Sequence, residues 1–250
     1  MKTKCAPRLA CKSTNIIWAL TLSLLLFQAS PVLAQQQFSI RLLGGRWPVY
    51  DLGVIIPTEP VEAHDAVLTA LNVWNLEQLW FARTYYPEGN VYNLRESTNG
   101  SIIFVFVNQI SDAAGNCVPV ISQNSIASAT VALSLTDANG KPIEWSWMQV
   151  VALHELGHAL GLGHSDSYED LMYSTIWNRS VLPSTLDLYA LHSLALGTSS
   201  EVVTLPSSIP YMAPAVNSVP EFPIQSELVL FMCFSAVTMC LLELGKRTLN

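Results

Sequence analysis

Residues 150–173, VVALHELGHALGLGHSDSYEDLMY, constrain the chain more than any other stretch. They contain His154-Glu155-x-x-His158-x-x-Gly161-x-x-His164, with Met172 eight positions further on. Four-residue spacing puts His154 and His158 one turn apart on a single helix face. Two neutral imidazoles placed so can share a divalent ion at about 2.0–2.1 Å each. A straight helix does not easily supply a third ligand at a tetrahedral corner, so the chain has to turn. Gly161 accepts the positive φ that a sharp turn demands, and His164 can then return to the ion from beyond it. Three protein ligands leave a fourth position for water, which is the arrangement of a catalytic zinc site and not of a closed structural one.

Glu155 follows the first histidine directly and is not needed as a ligand. Zinc lowers the pKa of a bound water towards 7, and a carboxylate alongside can take the proton as that water attacks a carbonyl. The chemistry fits peptide hydrolysis. The rival reading is a buried helix that carries three histidines by chance. The full five-residue pattern is far more specific than His-Glu-x-x-His alone.

The motif and the methionine that follows it resemble the metzincin zinc endopeptidases. Ser165 after the third histidine, and the spacing to Leu171-Met172-Tyr173, are most similar to the matrixin branch. The resemblance implies a zincin-like α+β fold: a mixed, mostly parallel twisted sheet, an active-site helix, and a C-terminal helix below the zinc cleft. It also implies one catalytic zinc on His154, His158 and His164, Glu155 as general base and then acid, and a turn at Met172 that underlies the metal without binding it. Gly161 and Met172 are thus structural supports. Matrixins usually continue that turn with proline, where this chain has Ser174. In a related branch a tyrosine two residues after the methionine reaches the metal. Tyr173 is adjacent to Met172 and does not inherit that role. The likeness is sharp over 145–197 and follows only the order of elements over 38–144.

Half of the 250 residues are hydrophobic and 12% are charged, enough for one well-cored domain with apolar segments to spare. Lys2, Lys4, Arg8 and Lys12 precede every acid; beyond residue 34 there are 8 basic and 19 acidic side chains. An acidic body argues against a nucleic-acid partner. Residues 1–34 read as a secretory signal: a basic start, an apolar run over 16–27, and Val32-Leu33-Ala34 as a small-residue cleavage site. An uncleaved anchor is the alternative, although the apolar run is short for a span. Cys117 is the only cysteine of the body, since Cys5 and Cys11 lie in the signal and Cys233 and Cys240 in an apolar tail. No disulfide framework is expected. Matrixin-like enzymes are often kept latent by a pro-segment cysteine. Residues 35–38 leave no room for one, and Cys117, without the surrounding pattern, reads as a small apolar residue.

Residues 35–197 read as the catalytic domain. Alternation over 38–57 predicts one or two strands about Gly44-Gly45. Pro60 opens a helix with apolar period to about Trp80. Residues 85–100 read as loop or weak strand. The run SIIFVFVNQI over 101–110 predicts an inner strand covered on both faces. Residues 111–125 read as a loop and 126–135 as a strand. By resemblance, that last strand is the sheet edge that pairs with extended substrate. The active-site helix is expected from 145–147 to about Leu160. Trp177 and Val181 are candidates for the wall of a substrate pocket, with core packing as the alternative. Ser184-x-x-Asp187 resembles a capping box that starts a last helix ending at Gly197. His64 reads as a surface residue and His192 as a bystander. With so few other histidines, the second zinc site of many matrixins is not expected. Asp166, Glu169 and Asp170 offer a Ca²⁺ reading beside that of a solvated loop.

Residues 198–226 read as an extended Ser/Pro-rich linker, and 227–250 as a transmembrane or sorting segment. The apolar stretch 228–242 reaches only about 22 Å as a helix, short of a roughly 30 Å hydrocarbon core. Lys246 and Arg247 suit a cytoplasmic end. The preceding Pro220-Glu221-Phe222-Pro223 resembles archaeal C-terminal sorting signals. Asn99-Gly100-Ser101 and Asn178-Arg179-Ser180 fit the glycosylation triplet, which chance also supplies. The expectation is an exported, membrane-tethered zinc endopeptidase acting on proteins or peptides. The alternative is a cell-surface binding or adhesion module with a structural zinc site.

Overall fold

A computed structural model describes residues 37–175, 182–198 and 200–213. Its main sheet has five strands in the order β3-β2-β4-β6-β5. These are β2 (Asp51–Ile55), β3 (Asn93–Glu96), β4 (Ile102–Val107), β5 (Gly115–Ser122) and β6 (Ser125–Ser134). All neighbours run parallel except β5, which is antiparallel to β6. A smaller antiparallel sheet places β1 (Ser39–Leu42) between β7 (Leu162–Ser165) and β8 (Val202–Thr204). With three helices among the described residues, the architecture is the expected mixed α+β fold.

Helix α1 (Val61–Tyr85) follows Pro60, carries Glu62 in its first turn and Arg83 in its last, and so matches its own dipole. Ala63, Val67, Ala70, Trp74, Gln78 and Phe81 recur at three or four residues and form one buried stripe. Phe81 and Ala82 prolong that stripe, so the helix runs past the predicted end at Trp80. Helix α2 (Trp145–Ala159) is buried along most of its length. Helix α3 (Thr185–Ala195) starts with the predicted capping box: Ser184 Oγ accepts from the Leu186 and Asp187 amides, and Asp187 accepts from the Ser184 amide.

Four expectations need correction. Ile102 and Phe104 of β4 are buried, but Ile103 between them is 36% exposed. The sheet is therefore covered on one face, and the all-apolar run is not a sign of burial on both. Residues 115–122, read as loop, form β5. Pro119 lies within it, and proline is tolerated on an edge strand. The β5–β6 turn uses Gln123 and Asn124, both with positive φ, in place of a glycine-containing pair. Because β5 lies outside β6, the strand expected as the free edge is paired on both sides, and the edge belongs to β5. Finally, part of the stretch read as linker is folded: β8 pairs with β1, Leu205 and Ile209 are buried, and Tyr211 packs on Phe38 at 4.7 Å between ring centroids.

Candidate metal centre and cleft

The helix that carries the first two histidines is pinned by two indoles. Trp74 Nε1 donates to the Leu153 carbonyl and Trp47 Nε1 to the Ala159 carbonyl, each at 3.0 Å. After Leu160 the chain turns at Gly161, whose φ is +105°. A Cβ there would stand 2.8 Å from the Gly45 carbonyl oxygen, so the turn needs glycine for its backbone and for its space. β7 then returns with His164.

The three imidazoles converge as the motif predicts. One nitrogen from each of His154, His158 and His164 lies within 4.8 Å of the others. His154 Nδ1 stands 2.7 Å from the Leu171 carbonyl oxygen and His158 Nδ1 2.7 Å from that of Leu162. A carbonyl can only accept, so each Nδ1 carries the proton and each Nε2 keeps its lone pair for a ligand. Burial, with the neighbouring imidazoles, pushes His154 down to about 3; burial likewise takes His158 down to about 4. Both rings are thus neutral at ordinary pH, as metal ligation requires. A three-imidazole set in which two tautomers are fixed fits zinc.

Glu155 is 6% exposed, and burial pushes its carboxyl up to about 7. A carboxyl with that value can both take and return a proton near neutrality. Gly115, the first residue of β5, packs directly on it: a Cβ there would lie 2.6 Å from Glu155 Cγ. The free edge of the sheet therefore begins beside the carboxylate. Cys117 follows on the same strand. Its thiol is pushed up to about 12 by burial and then by the charge of Glu155, which agrees with an inert, partly buried residue.

Met172 is fully buried, and Leu171 beside it supplies the carbonyl that orients His154. Ser165 N donates to the Met172 carbonyl, tying the methionine turn to the strand that bears His164. Beneath this turn lies a polar cluster centred on Asp170. Asp170 is 4% exposed, not part of a solvated loop; it accepts from Ser165 Oγ and from Tyr211 Oη. Asp166, also offered to calcium, accepts from the amide and hydroxyl of Ser39. Burial raises the Asp170 carboxyl, and raises that of fully buried Asp187 further with help from Asp170. Asp187 was visible as a capping residue. Nothing in the local sequence marks Tyr211.

The two remaining histidines stay apart from the centre. His64 bonds to Glu96 at 3.1 Å and to Asp65 at 3.4 Å and is only partly exposed. His192 is buried, stacks on Tyr86 at 4.2 Å, and has no partner for either ring nitrogen. Trp177, Val181 and Asn178 lie outside the described residues, as do 1–34 and 214–250, which include the expected signal and tail. No helix among the described residues is long and apolar enough to cross a membrane.

A three-histidine centre on a helix and a glycine turn, beside the edge of a mixed sheet, defines a metallopeptidase type of site. The family model for the matrixins, peptidase family M10, matches residues 57–194, more than half of the chain, and the chain belongs to that family. It is a family of zinc metalloproteases. No curated protein matches the chain.

Proposed function

We propose that this chain is a zinc-dependent endopeptidase in which Glu155 moves the proton. The observation that carries the reading is the convergence of one nitrogen from each of His154, His158 and His164, with Glu155, buried and of raised pKa, directly following the first of them. Zinc, when bound to His154, His158 and His164, supplies Lewis acidity towards water and the scissile carbonyl. The free edge of β5 offers backbone groups to an extended peptide. Glu155 takes a proton from the attacking water and returns it to the departing amine. Its low exposure limits access of bulk water, and its pKa leaves it able to do both. The carbonyls of Leu171 and Leu162 hold His154 and His158 in the ligating tautomer throughout.

The second reading, a surface binding module with a structural metal, has no use for Glu155. Casein cleavage by the full chain, with and without a chelator and alongside Glu155→Ala, separates the two. The endopeptidase reading expects zinc retention in the variant and a fall in turnover of about 10²–10⁴-fold or more. Unchanged cleavage by the variant would sink the role of Glu155. Zinc retention by a wild type that cleaves nothing would favour the binding module.

Residues 1–34 and the apolar stretch 228–242 support an exported body tethered at the outer face of a membrane. Protease shaving of intact cells is expected to remove the body. Protection of the body until the cells are lysed would contradict export.

A further inference from the structure

Beyond the metal ligands, a cleft of about 740 Å³ opens where β5 begins. Its floor is apolar, with Ala114, Ile143 and Trp147. Its rim is acidic: Asp112, Asp137 and Glu144 stand against Lys141 alone. The ion pairs found among the described residues are those of His64; Lys141 forms no direct ion pair with the rim, although its charge helps to lower the Asp137 carboxyl, so three carboxylates face one cation. Asp137 accepts from the Lys141 and Asn139 amides at 2.9 Å, and these bonds hold its carboxyl below the usual range. Asp137 therefore keeps its charge to lower pH than an ordinary aspartate.

The cleft is continuous with the reaction centre in position. Ala114 directly precedes Gly115, which packs on Glu155. Trp147 stands eight residues before Glu155 on α2, a rise of about 12 Å. An extended peptide covers that distance in roughly three to four residues. A peptide added antiparallel to the free edge of β5 runs against the strand, so the residues after the cut bond travel towards Ala114 and the cleft.

We propose that this cleft receives a long basic side chain, lysine or arginine, from a substrate residue two to four positions after the scissile bond. The methylene stem lies on Trp147 and Ile143, and the cationic head reaches the carboxylates of the rim. The inference rests on the endopeptidase reading and narrows its substrates to chains that are basic on the C-terminal side of the cut.

The test uses the full chain loaded with zinc and a peptide series that differs only in lysine, norleucine or glutamate at the second, third and fourth positions after the cut. Lysine is expected to raise kcat/KM over norleucine by about fivefold at one of these positions. The advantage should shrink in high salt, as an exposed charge contact does. The double variant Asp112→Asn/Glu144→Gln should bring the ratio towards one. Asparagine accepts the left-handed backbone of Asp112 (φ 60°), and Glu144 makes no side-chain capping bond, so the variant keeps its local supports. Equal cleavage of lysine and norleucine peptides would overturn the inference, as would an undiminished preference in the double variant or a basic preference before the cut. Chelator-sensitive cleavage with no basic preference overturns the inference alone. Cleavage of no peptide overturns the endopeptidase reading and the inference with it.

Discussion

Glycine at position 115 leaves room for the carboxylate to which we assign the proton transfer. A methyl group there would meet Glu155 Cγ at 2.6 Å and Val151 Cγ1 at 2.7 Å. Val151 belongs to the packed core of α2, so Glu155 is the group that yields. Gly115→Ala should retain zinc and lower kcat by about tenfold or more, since misplacement by about 1 Å can cost that much. Kinetics with metal analysis on the same sample checks it; unchanged kcat would contradict the packing. At Gly161 the constraint is backbone strain, and alanine at φ +105° beside the Gly45 carbonyl should cost about 1–2 kcal/mol or more. Thermal melting reads that loss directly. His192 supplies a pH signature. Burial lowers its pKa, so the folded ring takes up a proton at lower pH than an unfolded one, which titrates near 6.5. Above that pH both forms are neutral and the residue contributes nothing. Below it the unfolded chain binds more of that proton than the folded chain does, and stability falls by at most about 1.4 kcal/mol per pH unit. The zinc-loaded His192→Leu variant should lose less melting temperature than wild type on going from about pH 7.5 to about pH 5.5. Equal losses would mean that His192 does not titrate as described.

At the scale of elements, the segment after α3 acts as a strap. β8 closes the small sheet beside β1, the Met212 amide donates to Thr185 Oγ1, and Tyr211 Oη reaches Asp170 under the methionine turn. Asp170 in turn holds Ser165 at the end of the strand that carries His164. Tyr211→Phe removes two hydrogen bonds, one to Asp170 and one with Ser167 Oγ, and should cost about 1–3 kcal/mol. It should also speed zinc transfer to a chelator, because the ligand strand and the Leu171 carbonyl share that support. A destabilised variant with unchanged zinc release would show that the strap is structural only. The sequence displayed the ligands because their spacing is local: a helix turn, a glycine, a return. It did not display the strap, because a three-residue strand in Ser/Pro-rich surroundings has no period to read. It misassigned the sheet edge for a similar reason. β6 alternates strongly, while β5 carries a proline and a turn without glycine, so only long-range pairing reveals which strand lies outside. The indole bonds from Trp47 to Ala159 and from Trp74 to Leu153 span 112 and 79 positions and left no local trace.

Over the whole molecule, the one-sided sheet, the pinned helix α2 and the strap support one spot, where three imidazoles converge and Glu155 is buried. Those elements come from both sides of the region matched by the matrixin family model, since β1 precedes it and β8 and Tyr211 follow it. A fragment cut to 57–194 should therefore fold poorly and hold metal weakly beside the full chain, a difference that circular dichroism and metal analysis would detect. The most direct test of the central claim is the zinc content of the folded full chain measured together with its peptidase activity. One zinc per chain is expected, with metal and cleavage lost together on chelation, restored together on adding zinc, and both absent in His158→Ala. A folded chain without stoichiometric metal, or cleavage that survives complete metal removal, would contradict it.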